Sequence, residues 1–440
     1  MGFSPDRRDS ESRLDSYVEA LTKALGHADR AAPFRSYIAG LLLPGARKSV
    51  EPMAARVEPA HVQAARVQAA HQSLHHFVAK ADWSDQALLA AVRAFVLPII
   101  TQRGPIRGWM IDDTGIPKKG THSVGVARQY CGQLGKRDNC QVAVTLSLAA
   151  NHASLPVAHR LYLPQPWADD WDRRAKAGVP DDVAFQTKPQ IALAQIRAAI
   201  DAGIPTATVL ADAGYGVDTA FRDGITELGL TYVLGIQTST SLWPPGTEPL
   251  PPKPWSRRKR PPSLVRRHAE HAPMSAKALA ISLPKRAWRR LTWREGTNTT
   301  LTGRFAAVRV RPAHRDYNRP TPRPEEWVLI EWPKGEPEPT KYWLSTLPPT
   351  ATRRDMVNQA KLRWRIERDY QDLKQKLGLG YYEGRGWRGL HHHATLCIAA
   401  YGFLIAERDA FPPSDGFWPS SLQTPALSQS YRPRGAPHPT

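Results

Sequence analysis

Cysteine is scarce in this 440-residue chain, which has only Cys131, Cys140 and Cys397. Three scattered thiols exclude a disulfide framework and a zinc site built on cysteine. Cys131 and Cys140 are close enough in sequence to meet across a hairpin, but small buried thiols are the simpler expectation. Long apolar runs are missing too. The longest, around residues 41–44 and 397–405, fall far short of the roughly 20 residues that cross a bilayer as a helix. No apolar stretch follows the opening Met1-Gly2-Phe3, which leads into Asp6, Arg7, Arg8 and Asp9. The expectation is therefore no secretory signal, no membrane partner and a reducing, cytoplasmic setting. Acidic residues are the last shortage: 40 Asp plus Glu against 60 Lys plus Arg leaves a formal charge of +20. Such an excess calls for a polyanionic partner, most commonly nucleic acid; the plainer alternative is a merely basic protein. No internal repeat is present.

What is there divides into stretches of different character. Residues 1–100 read as helical. Leu14, Val18, Leu21 and Leu25 recur at helical spacing, as do Leu88, Leu89, Val92 and Phe95, with Pro98 expected to close the second run. Arg7, Arg8, Arg30, Arg35, Arg47, Lys48 and Arg56 also lie here. A DNA-binding helical domain and a structural helical cap both fit, because no helix-turn-helix pattern is evident. Residues 101–237 alternate between strand and helix: strands at 109–111, 124–130, 140–148, 207–210 and 230–236, helices at 190–202 and 218–228. Over 238–325 the pattern breaks. Pro244, Pro245, Pro249, Pro251, Pro252 and Pro254 crowd one stretch, followed by the basic Arg257-Arg258-Lys259-Arg260. A loop- and strand-rich insertion is expected, with one strand at 306–310. Residues 326–410 resume the α/β pattern with strands at 327–331 and 342–346, a helix from 353 to 377 and another over 390–407. Thr352 and Asp355 are spaced for a capping box. A Pro- and Ser-rich stretch, 411–440, has the composition of a disordered tail.

Two carboxylates sit where apolar strands end. Asp112 follows Trp109-Met110-Ile111, and Asp212 follows Val209-Leu210-Ala211. A strand end holds a side chain rigidly yet open to solvent, which suits metal and substrate binding; an Asp there also commonly caps a turn. The third element is Arg363-Trp364-Arg365-Ile366-Glu367, leading to Lys374. At about 100° per residue, Arg363, Glu367 and Lys374 share one helix face, beside an apolar stripe of Ile366, Tyr370, Leu373 and Leu377. One carboxylate between two cations suits a metal beside a phosphate; an ordinary solvated face with salt bridges has the same pattern. Phosphodiester chemistry needs an activated nucleophile and a neutralised leaving oxyanion, which two Mg²⁺ ions about 4 Å apart supply. Hard oxygen ligands, two Asp and one Glu, are enough to hold them.

These pieces, in this order, resemble the DDE transposases of bacterial insertion sequences. Ile111-Asp112-Asp113-Thr114-Gly115, the Val209–Asp212 segment and the Arg363–Glu367 segment carry the likeness. Pro117-Lys118-Lys119-Gly120, the Ser123–Tyr130 stretch, Glu383–Gly389 and His391-His392-His393 extend it, so that it spans about 109–404. The resemblance implies an α/β, RNase H-like mixed sheet flanked by helices. The 155 residues between Asp212 and Glu367 (367 − 212) leave room for the β-rich insertion of the cut-and-paste branch. It further implies that Asp112, Asp212 and Glu367 are the catalytic acids and the ligands of two Mg²⁺ ions, with Mn²⁺ able to substitute. Arg363 and Lys374 would hold the DNA; Lys118 and Lys119 are either backbone contacts or turn lysines. The implied partners are terminal inverted repeats and target DNA, bound by a dimer, at the bacterial nucleoid.

Two positions depart from the family pattern or divide it. Asp112 and Asp113 are adjacent and alternate across a strand, and the pattern of an Asp, any residue, then Ser or Thr selects Asp112. The Tyr expected three residues before Arg363 is Ala360 here, with Trp364 either a substitute or a core residue. The three consecutive histidines point in different directions on a helix and cannot meet on one ion. The implied activity is cleavage of insertion-sequence ends and strand transfer. Its rivals are a DNA-binding derivative that no longer cuts and a Mg²⁺-dependent endonuclease without strand transfer.

Overall fold

The computed structural model describes residues 5–57, 64–257, 260–294 and 300–410. The expected tail at 411–440 and two members of the basic cluster, Arg258 and Lys259, lie outside the described residues. In chain order the elements are α1 (Pro5–Thr22), α2 (Ala31–Leu42), α3 (Val50–Val57), α4 (Ala64–Ala79) and α5 (Asp85–Gln102). Then come β1 (Gly108–Pro117), β2 (Ala127–Cys131), β3 (Lys136–Ala149), β4 (Ser154–Leu161), α6 (Gln165–Ala168), α7 (Trp171–Ala177) and α8 (Lys188–Asp201). The middle of the chain forms β5 (Thr208–Ala211), α9 (Ala213–Gly216), α10 (Thr219–Glu227), β6 (Tyr232–Ile236), β7 (Ser241–Trp243), β8 (Met274–Ser275) and α11 (Ala276–Ser282). Last are β9 (Arg289–Arg294), β10 (Thr300–Pro312), β11 (Glu326–Pro333), β12 (Lys341–Ser345), α12 (Arg353–Leu362), α13 (Trp364–Gln375) and α14 (Trp387–Ala410). This is an α/β protein with a mixed sheet flanked by helices, consistent with an RNase H-like fold, and with a helical N-terminal region.

The chain divides into two compact units. One holds the described residues up to Ile106, Asp112–Ala198 and those from Arg365 onward. Its centre is α14, whose residues from Gly389 to Ile405 are almost all buried, so the helix is enclosed around its whole circumference. Leu14, Val18, Leu21 and Leu25 are buried at the spacing the sequence predicts, and the Tyr17 hydroxyl donates to the Ala399 carbonyl at 2.7 Å. Arg13 and Ser10 of α1 both reach Glu407 of α14, Arg13 with a two-pronged contact of 2.6 and 2.9 Å. Pro98 does not close α5, which continues to Gln102. Pro98 is exposed, so the amide hydrogen bond it omits opens to solvent rather than to the core.

In the same unit β3 lies between β2 and β1, and its second half also pairs with β4. Val142, Val144, Leu146 and Leu148 are fully buried, as the alternation predicts. The hairpin turn is tighter than the gap between the expected strands at 124–130 and 140–148, with β3 starting at Lys136. Strand β2 starts only at Ala127, because the Val124 amide donates to the Arg385 carbonyl outside any sheet.

The second unit comprises Arg107–Ile111 and Ala199–Trp364. The start of β1 pairs in parallel with β5, and β5 in parallel with β6. Strands β12, β11 and β10 continue antiparallel from β6, with β9 and β7 on β10 and β8 on β7. The region after β6 is thus strand-rich, and its expected strand at 306–310 is the middle of β10. Thr352 and Asp355 form the capping box that starts α12. The single helix expected over 353–377 is instead two, α12 and α13, divided at Arg363. Arg363 keeps helical angles, φ −58° and ψ −23°, with ψ shifted toward a tighter 3₁₀ turn.

Candidate active site

Strand β1 delivers Asp112 from a rigid base. Trp109, Met110 and Ile111 are fully buried, and the Trp109 indole N–H donates to the Pro205 carbonyl at 3.0 Å. Asp112 and Asp113 are then half-buried. They are held differently. Asp113 forms an ion pair of 2.5 Å with Lys188, at the start of α8, while its own amide donates to Asp112 Oδ1 at 2.8 Å.

Asp212 stands just past β5, whose four residues are all buried. Its Oδ1 accepts from the Gly214 amide at 2.8 Å and so caps α9. The turn-capping role open to an Asp at a strand end is realised here, and it also fixes the carboxylate. The cap sits tightly: a Cβ on Gly216 would lie 1.9 Å from the Gly235 carbonyl oxygen of β6. Strands β1 and β5 pair with Met110 opposite Leu210. Asp112 and Asp212 each stand two residues beyond that pair (112 − 110, 212 − 210).

Glu367 is exposed on α13. The stripe of Ile366, Tyr370, Leu373 and Leu377 is buried as the spacing predicts, and it seats the helix. Two hydrogen bonds tie that helix to β1: Tyr370 Oη donates to the Asp112 carbonyl at 3.0 Å, and Lys374 Nζ donates to the Gly115 carbonyl at 2.8 Å. Glu367 therefore precedes by three residues the side chain that touches Asp112's own backbone. Burial lowers the Lys374 pKa. Arg363 is half-buried at the junction of α12 and α13. Lys118 turns its ammonium inward to the Tyr382 carbonyl at 2.5 Å, and burial lowers its pKa too. Lys119 is exposed.

Sequence reasoning missed two carboxylates on α13. Asp369 and Asp372 are almost completely buried. Ser154 and Tyr401 donate to Asp369 Oδ1 at 2.6 and 2.9 Å, yet burial raises its pKa to about 6. Asp372 faces Lys376 at 3.0 Å, Arg408 at 3.5 Å and Arg368 at 3.6 Å. Basic residues four positions to either side of Asp372, Arg368 and Lys376, were the available signal.

The three histidines of α14 are core residues with separate partners. His391 contacts the Trp387 carbonyl and accepts from the Leu161 amide; His392 lies between the Val78 and Trp83 carbonyls; His393 meets Tyr37 and the Gly378 carbonyl. Among the described residues, no group of three or more His, Cys, Asp or Glu is gathered as a metal site. For Mg²⁺ that is not an obstacle. It keeps several waters and takes one or two carboxylates together with substrate phosphates, rather than a cage made by the protein alone. The oxygen-only donors Asp112, Asp212 and Glu367 fit such an ion in kind. All three cysteines are buried and free, and no described helix is long and apolar enough to cross a membrane.

Against known proteins, the sequence pattern of the DDE superfamily endonuclease family matches residues 20–300, well over half of the chain. A probable transposase for insertion sequence element IS701 from Microchaete diplosiphon is 33% identical over 169 residues. That match covers 38% of this chain and 41% of the relative, so the chain matches less than half of the relative's length. Asp112 within β1, Asp212 just past β5, the helix α13 tied to β1 and a family match that spans both aspartates lead to one conclusion: the chain belongs to the DDE superfamily of endonucleases.

Proposed function

We propose that this protein is a transposase that cuts the ends of an insertion sequence and joins them to target DNA. The observation that carries the proposal is the attachment of α13 to β1 through Tyr370 and the Asp112 carbonyl, which ties the helix of Glu367 to the strand of Asp112. The parallel register of β1 with β5 supports the same role for Asp212.

In this proposal Asp112, Asp212 and Glu367 hold two divalent cations, Mg²⁺ or Mn²⁺. The ions, when bound, activate the attacking oxygen and neutralise the leaving one. The residues themselves position: β1 keeps Asp112 on a buried base, the Gly214 amide orients Asp212, and the apolar stripe of α13 aims Glu367. Arg363, Lys374 and Lys119 contact the phosphate backbone; Lys118, already bonded to Tyr382, supports the turn that carries Lys119. The region 238–325 acts as an inserted domain that, with the helices of residues 1–100, grips the terminal inverted repeats. Two ends must be handled together, so the protein works as a dimer on DNA, in the cytoplasm at the nucleoid.

The test is cleavage of DNA carrying the element's own ends, with Mg²⁺ and with EDTA, by wild type and Glu367→Ala. Mg²⁺-dependent nicking that the variant loses while still binding DNA is the expected result. Binding without cleavage by folded wild type would sink the proposal and favour a DNA-binding derivative. Nicking without joined product would leave an endonuclease without strand transfer.

A further inference from the structure

On α13, Arg365, Arg368, Asp369 and Asp372 fall at i, i+3, i+4 and i+7, roughly opposite Glu367 around the helix. Behind that face is a cavity of about 40 Å³. A site that size holds about three waters or one compact tetrahedral anion. Its walls come from the end of α5, the turn before β4, α13 and α14. Four guanidiniums line it, those of Arg103, Arg365, Arg368 and Arg408, against two carboxylates, Asp369 and Asp409. Asp409 is already answered by Arg103 at 2.9 Å and His152 at 3.5 Å. Arg368 and Arg408 also share Asp372 behind the lining, at 3.6 and 3.5 Å, so four guanidiniums meet three carboxylates and a small positive excess remains; guanidinium forks are the groups that best match a tetrahedral oxyanion.

Asp369 adds selectivity. Its Oδ1 accepts two hydroxyls, those of Ser154 and Tyr401. Its Oδ2 is buried and makes no hydrogen bond. A buried carboxylate oxygen needs a donor. Hydrogen phosphate carries an O–H; sulfate and an internal DNA phosphodiester do not. We propose that this cavity binds a phosphate group that still carries a proton, as inorganic phosphate or a terminal phosphate monoester, with its O–H donated to Asp369 and its other oxygens held by the arginines.

The experiment is thermal unfolding of the full chain at pH 7.5 in inorganic phosphate, sulfate or chloride at matched ionic strength. Each variant is compared with its own chloride baseline, so that a change in stability alone does not mislead. Phosphate is expected to raise Tm by a few degrees above sulfate, and the gain should vanish in Arg408→Gln and in the more exposed Arg103→Gln. Asp369→Asn, whose amide donates, should close the gap between sulfate and phosphate. A 5′-phosphorylated oligonucleotide tested against its unphosphorylated twin at about pH 6.5, where a good part of the monoester keeps its proton, separates the two sources: a difference points to a DNA end, none to the free ion. Equal stabilisation by phosphate and sulfate in wild type, or a phosphate gain that survives both arginine substitutions, overturns the proposal.

Discussion

Asp112 and Asp113 are chemically identical neighbours with different surroundings. Lys188 pairs with Asp113 at 2.5 Å, while Asp112 sits on the strand segment that Tyr370 grips. Removing the Asp113 charge leaves a partly buried lysine without its ion-pair partner, a cost in stability more than in chemistry. Removing the Asp112 charge takes away a proposed ligand of ions that contribute several kcal/mol to the transition state. Asp112→Asn is thus expected to lower DNA cleavage by about a thousand-fold or more, at about 1.4 kcal/mol per tenfold, with DNA binding kept. Asp113→Asn should stay within about tenfold of wild type. Cleavage rates and binding of the two variants, side by side, check this; the reverse ranking would move the ligand to Asp113. At this scale the sequence was informative wherever a residue type had a definite place. Asp212 does follow the end of an apolar strand and Glu367 stood beside a stripe that does bury, whereas Asp112, expected at a strand end, lies within β1, which runs on to Pro117. Asp369 and Asp372 were not legible, because their burial depends on Ser154, Tyr401 and Arg408, which come from distant parts of the chain.

At the scale of elements, two contacts carry testable weight. Helix α9 starts at Asp212 and meets β6 backbone to backbone, since a Gly216 Cβ would stand 1.9 Å from the Gly235 oxygen. Gly216→Ala must push α9 off the strand, and overpacking of this kind costs about 1–3 kcal/mol or more. Because Asp212 caps that helix, cleavage should fall along with stability. Urea unfolding together with cleavage assays tests it; unchanged stability would show that α9 can shift freely. Helix α14 brings a pH dependence. Burial holds His392 and His393 down at about 4, against an ordinary 6.5, although carbonyls at His392 pull the other way. The folded state then binds fewer protons than the unfolded chain between pH 6.5 and 4. Stability is complete above about 6.5 and is lost as pH falls toward 4. Asp369, raised to about 6, and Glu326, also raised by burial, act in the opposite direction, but burial holds down His159 and His391 as well, so the histidines prevail. Unfolding free energy should fall by about 2 kcal/mol or more from pH 7 to pH 5. A flat or rising profile would mean that these imidazoles are not buried neutral. Element types followed from periodicity; their ends did so less well. Pro98 reads as a stop but lies on the exposed side of α5, where its missing amide hydrogen bond is tolerated. The break at Arg363 has neither proline nor glycine to announce it.

For the whole molecule, charge is the property that sequence and function share most directly. A formal excess of +20 is costly to keep on one folded chain unless a polyanion answers part of it. If the partner is duplex DNA, binding releases counterions, and log K falls against log salt with a slope of about −0.9 for each phosphate neutralised. Several basic regions are proposed to act together: the N-terminal helices, the region 238–325 and Lys119. A slope of about −5 or steeper is therefore expected between 50 and 200 mM salt. Glu367→Gln keeps cleavage from distorting the titration and leaves the basic surface intact. On that background Lys119→Ala should make the slope shallower by about one and weaken all duplexes alike, as loss of a backbone contact does. Lys118→Ala, losing an ammonium bonded to the Tyr382 carbonyl, should show in stability before it shows in the slope. A slope near −1 for the Glu367→Gln protein would mean that most of its positive charge faces something other than DNA, and the cleavage proposal would then rest on the carboxylates alone.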